Sequence, residues 1–144
     1  MRFIKNNMRE IKFRAWCKKN KRMFLPVAGC DLLVRIDGKL FTDIDIVENV
    51  GLYDTNMDEF IIMQYTGLKD KNGKMIYESD IVKVKLDIVG DKKYLCEVIW
   101  NDGGFDFLGI NKACKVCASK YYSEDCEIIG NIYENKERLD KTKK

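Results

Sequence analysis

The chain contains no histidine and a single proline, Pro26. Without histidine, the commonest general base and the commonest zinc ligand are both missing. That absence argues against an enzyme and leaves metal binding to cysteine and carboxylate alone. No apolar run approaches the ~20 residues that a membrane-crossing helix needs. The first residues hold no apolar stretch of signal-peptide length either, so a cytoplasmic protein without membrane contact is expected. The six cysteines then read as reduced thiols rather than as a disulfide framework.

What is present is an ordinary soluble balance, 46% apolar and 34% charged over 144 residues. A chain of this length buries roughly 68–70% of its unfolded surface, enough for its own core. The net charge of +3 is misleading: residues 1–7 carry +2 and residues 136–144 carry +3, which leaves the body 8–135 at −2. A nucleic-acid footprint asks for a basic face on the folded body. Charge is nevertheless polarised, with seven basic residues and one acid in Arg9–Arg22, and six acids with no base in Leu40–Leu68.

Period-2 alternation and closely spaced turns dominate the pattern. Ile11–Trp16 alternates as a half-buried strand, with Ile11 and Phe13 on its apolar face. A polar turn at Cys17–Lys21 leads to a short returning strand, Arg22–Leu25, ended by Pro26. Asp37-Gly38 separates Leu32–Ile36 from Lys39–Thr42 as a two-residue hairpin. Asp43–Asn56 reads as strand followed by loop, and extended structure resumes at Glu59–Tyr65. Asn72-Gly73 signals a tight hairpin of type I′. Ile81–Asp87, Lys93–Trp100 and Phe105–Ile110 form a meander punctuated by Gly90-Asp91 and Asn101-Asp102-Gly103-Gly104. Asn111–Glu124 interrupts it with a helical turn, and Glu127–Tyr133 is the last strand. Many short strands with regular turn signals mean an all-β sandwich or barrel.

Three stretches resemble the YopX family of phage- and prophage-encoded proteins. They are Met8-Arg9-Glu10-Ile11-Lys12-Phe13-Arg14-Ala15-Trp16, the central run Gln64–Val84 with its Asn72-Gly73 turn, and Ile128-Ile129-Gly130-Asn131-Ile132-Tyr133-Glu134-Asn135. The resemblance spans about residues 8–135. It implies an N-terminal β-meander subdomain (8–63) and an SH3-like small barrel (64–135), flanked by an extension (1–7) and a disordered basic tail (136–144). Ser79 departs from the family pattern, which has glycine there and so permits φ > 0. The family has no established biochemical activity. The resemblance therefore implies a non-enzymatic phage or prophage accessory protein, a protein-interaction or assembly module in the bacterial host cytoplasm.

Candidate sites follow from this reading. Tyr65, Tyr77 and Tyr133, with Lys69 and Asp70 beside the turn, form a candidate interaction set, since tyrosine suits protein recognition; core positions are the alternative. Arg14, Lys18, Lys19, Lys21 and Arg22, interleaved with Phe13, Trp16 and Phe24, could bind nucleic acid by charge and stacking. Inward-facing aromatics with solvated lysines are the simpler reading, and nucleic acid is not the expected partner. Asp43 and Asp45 would share a strand face, more simply as solvated acids. Gly103-Gly104 reads as a hairpin and not as a phosphate loop. Cys114 and Cys117, with Cys126, make the best metal candidate. A lone Cys-x-x-Cys lacks the second pair that structural zinc requires, so neither metal nor cofactor is expected. The basic and acidic runs of the N-terminal half could match within one chain or between neighbours; the apolar residues around the acids (Phe41, Ile44, Ile46, Val47, Val50 and Leu52) favour a homo-oligomer.

Overall fold

A computed structural model describes residues 10–25, 32–34, 40–42, 57–85, 92–110, 115–117 and 125–137. The expected strand and loop over Asp43–Asn56 and the turns at Asp37-Gly38 and Gly90-Asp91 lie outside these residues. Nearly all regular structure among the described residues is strand, as the alternating pattern requires. The strands are β1 Phe13–Cys17, β2 Arg22–Phe24, β3 Leu32–Val34, β4 Leu40–Thr42, β5 Phe60–Lys69, β6 Met75–Tyr77, β7 Asp80–Lys85, β8 Lys93–Asn101, β9 Gly104–Gly109, β10 Lys115–Cys117 and β11 Cys126–Asn131. None of the helices among these residues is long and apolar enough to cross a membrane.

The strands build a four-stranded sheet ordered β2-β1-β5-β6, a five-stranded sheet ordered β10-β9-β8-β7-β11, and the β3-β4 pair. Every pairing is antiparallel. Val82, Val84, Cys96, Val98, Phe105, Phe107 and Cys126 alternate onto the inner face of the larger sheet, and Ile76 and Leu68 pack against them. The sheet curls over this cluster as a half-barrel, with Leu68 from β5 and Ile76 from β6 packed on it. β5 crosses the expected 63/64 boundary. Its first half pairs with β1 through Phe60–Gln64, and its second with β6 through Tyr65 and Lys69. The expected boundary therefore falls within one continuous strand.

Two local expectations need correction. Asn72-Gly73 is not a two-residue type I′ turn, because only Gly73 has positive φ (79°). The Gly73 N–H donates to Asp70 O and the Asp70 N–H to Lys74 O, a type I turn closed by a glycine bulge. Asp70 selects this form by accepting the Asn72 and Lys74 N–H groups on one carboxylate oxygen, both at 2.9 Å. The true two-residue turn is Asp102-Gly103, where both residues have positive φ (48° and 81°) between paired Asn101 and Gly104. Inside the segment Asn111–Glu124, Lys115–Cys117 pairs with β9 as a strand, and the other residues of the segment, where a helical turn was expected, lie outside the described residues.

β1 is the second correction. Its residues Arg14, Ala15, Trp16 and Cys17 are all buried, while Ile11 is 64% exposed. Both faces of the strand are covered, so the alternation expected of a half-buried strand does not hold.

Candidate functional site

The three family-like stretches meet at one place. From β1, the Arg14 guanidinium donates to Asp80 Oδ1 at 2.7 Å and to the Glu78 carbonyl at 3.1 Å. It also lies 4.8 Å from the centroid of the Tyr77 ring. The other oxygen of Asp80 accepts the Tyr77 N–H at 2.8 Å, closing the turn between β6 and β7. Ser79 holds φ 65° in that turn, so serine adopts the left-handed conformation where glycine was expected. The turn is pinned from outside: the Ser79 N–H donates to Val98 O, and Ser79 O accepts the Ile132 N–H.

The closing motif fastens itself. Asn131 Oδ1 accepts the Tyr133 and Glu134 N–H groups, and Asn131 N–H donates to Asn135 Oδ1. A Cβ on Gly130 would run into that Asn135 side chain. The turn delivers Tyr133 onto Trp16, stacked at 5.7 Å.

Burial decides the electrostatics here. Asp80 is 1% exposed, and desolvation pushes its carboxyl above the ordinary value despite Arg14 and the Tyr77 N–H. Burial also raises Tyr65 and Tyr77, which are tilted against each other at 5.6 Å. At 3% and 5% exposure these tyrosines are interior residues, so the candidate interaction role does not fit them. Asp70, at 2%, is likewise a structural acceptor. Lys69 is exposed and Tyr133 half-buried.

The basic hairpin divides in a similar way. Arg14 is buried in its ion pair and cannot meet a nucleic acid. Lys18, Lys19, Lys21 and Arg22 are exposed. Lys18 reaches back to the Asp58 carbonyl at 2.7 Å, and the Arg22 guanidinium lies over the Phe24 ring. Of the cysteine set, Cys114 lies outside the described residues. Cys117 ends β10 at one edge of the five-stranded sheet, and Cys126 opens β11 at the other. Burial, with the charges of Asp125 and Asp70, raises the Cys126 thiol to about 11. That opposes the thiolate a metal needs.

The outward chemistry of the half-barrel was missed in the sequence. Lys83 and Lys85 take the polar phase of β7, Lys85 faces Lys93 across β8, and Lys83 faces Leu95 on one side and Glu127 on the other. With Lys71, Asp125 and Cys126 these residues line an open depression of about 140 Å³. Lys71 bonds Glu127 at 2.7 Å. That hydrogen bond, helped by the charges of Lys71, Lys83 and Lys93, holds the Glu127 carboxyl below its ordinary value. The available signal was Lys83-Val84-Lys85 in a strand already recognised as period-2. The depression is smaller than the roughly 300–1,000 Å³ of a small-molecule pocket.

A family model described as YopX protein matches residues 12–140. The chain is similar to protein EF1440 from Enterococcus faecalis, with 27% identity and a TM-score of 0.60 over 92% of this chain and 99% of that one. It is also similar to protein yopX from Bacillus subtilis, with 23% identity and a TM-score of 0.59 over 90% and 98%, a likeness of fold. No curated protein matches.

Proposed function

The chain belongs to the YopX family, and from that premise we propose that it is a non-enzymatic binding or assembly module. We place it among phage and prophage accessory proteins, acting in the cytoplasm of a bacterial host. The observation that carries this reading is the division of labour among the side chains. Tyr65, Tyr77, Asp70 and Asp80 of the family motif are buried in holding the fold, while the half-barrel turns outward a depression lined by Lys71, Lys83, Lys85 and Lys93. A rigid scaffold that presents fixed charge suits recognition of an anionic partner. Affinity capture from infected host cells with the intact chain as bait, followed by mass spectrometry, tests it. One partner retained at physiological salt is expected, and recovery of background proteins alone refutes the reading.

Two variants of this reading have specific support. The exposed run Lys18–Arg22, with Phe24 beneath Arg22, supports nucleic-acid binding as the alternative; gel shifts over a salt series would then weaken steeply with salt. The opposed charges of Arg9–Arg22 and Leu40–Leu68 support self-association through the N-terminal half. Light scattering should show a mass that grows with concentration at low salt, and a strictly monomeric mass refutes it.

A further inference from the structure

We propose that the lysine-lined depression on the outer face of β7 and β8 docks an extended acidic segment of a partner protein, with carboxylates at alternate positions. The inference rests on the binding-module reading above and names the face and the partner chemistry. Lys83 and Lys85 sit two residues apart on one face of β7, so their stems repeat at roughly 6.6–6.8 Å. Carboxylates at alternate positions of an extended peptide repeat at the same interval. Lys93 stands in register with Lys85 and widens the charged strip.

The molecule already seats one carboxylate in this setting. Glu127 accepts from Lys71 at 2.7 Å, and the charges of Lys83 and Lys93 favour its ionised form. Two features choose polypeptide over nucleic acid. Asp125 and Glu127 stand among the lysines, so an unbroken run of phosphates would meet repulsion inside its own footprint. The body of the chain carries −2, whereas a phosphate backbone is bound by neutralising many charges together. A mixed-sign strip instead fixes the register of a peptide whose charges are spaced to match.

Fluorescence anisotropy with a labelled peptide of alternating glutamate and threonine tests the proposal. The pair Lys83→Glu with Lys93→Glu should weaken binding at least tenfold. The pair Lys19→Glu with Lys21→Glu on the exposed hairpin tip makes the same change in net charge and should cost under threefold. A peptide of the same composition with its glutamates in one block should bind several-fold more weakly. Thermal melting of each variant establishes that it folds, and Lys83→Gln with Lys93→Gln replaces any variant that does not. Equal losses in both pairs, equal binding of both peptides, or no binding by the unmodified chain would overturn the proposal. So would an oligonucleotide that displaces the peptide by binding the same lysines more tightly, or a peptide-free dimer abolished by the Lys83/Lys93 pair. A captured partner that survives the Lys83/Lys93 substitutions would remove this docking face and leave the binding-module reading standing.

Discussion

Asp70 and Asp80 flank β6, both almost wholly buried, yet their carboxyls move in opposite directions. For each, desolvation is the largest influence and pushes upward. At Asp70 it is outweighed by backbone N–H groups from Lys74, Ile128 and Asn72 converging on the carboxylate, and the group falls below its ordinary value. At Asp80 a full charge, Arg14, and the Tyr77 N–H do not overcome deeper burial, and the group rises. Fixed amide dipoles need no counter-ion to be buried beside them, so a carboxylate held by them stays ionised at little cost. An ion pair must desolvate both partners. The first solution is nearly local, within one hairpin plus a single bond to β11; the second spans from β1 to β7.

The comparison breaks most violently at Arg14. Arg14→Met strands Asp80 as an uncompensated buried charge and should cost about 3–5 kcal/mol, measured by urea unfolding at neutral pH. A loss below 1 kcal/mol would mean that Asp80 is already neutral there.

Asp70→Ala comes next, at about 2–3 kcal/mol, because charge-assisted bonds to three backbone donors disappear. Its pH signature sharpens the contrast. A carboxyl with a lowered folded value stabilises the protein above its unfolded value of 3.8 and loses that contribution as pH falls. Asp80 has the opposite sign: its contribution is fullest below 3.8 and is lost as pH rises through its folded value. Asp70→Asn should therefore flatten the acid side of the stability curve between about pH 5 and about pH 3. An unchanged slope would leave Asp70 without its proposed charge.

Gly73→Val should cost about 1–2 kcal/mol through backbone conformation alone, since nothing lies within 4 Å of a Cβ built there. An unchanged melting temperature would contradict the bulge geometry of the Asp70 turn. The smallest effect belongs to the Asp80 turn. Ser79→Gly relieves the strain of φ 65° but frees the unfolded chain, for a net gain of about 0.5 kcal/mol. A lower melting temperature would show that the serine side chain is itself a support.

The same pair marks where sequence reading stopped. The meander of β7, β8 and β9 and the positions of the turns at Asn72-Gly73 and Asp102-Gly103 were legible, because period-2 patterning and Gly-containing turns are local signals. Turn type was not. Asn72-Gly73 and Asp102-Gly103 look equivalent in sequence, and only the carboxylate of Asp70, reaching two and four residues ahead, separates them. Arg14 could not be told from its exposed basic neighbours, because its partner Asp80 lies far along the chain. Tyr65 and Tyr77 were ambiguous for the same reason. The lysine face needed the register of three strands to assemble, and no single stretch of sequence contains it.

Buried thiols offer a clock for motions within this scaffold. Cys17 lies in the smaller sheet, Cys96 and Cys126 in the larger, each at most 2% exposed. A thiol raised to about 11 is almost entirely unreactive at neutral pH while enclosed, so alkylation of Cys126 must wait for β11 to peel away. With the other cysteines replaced by serine, single-thiol variants would report the opening rate of each sheet separately. Equal rates for Cys17 and Cys126 would mean that the two sheets open as one cooperative unit, and unequal rates that the half-barrel breathes on its own.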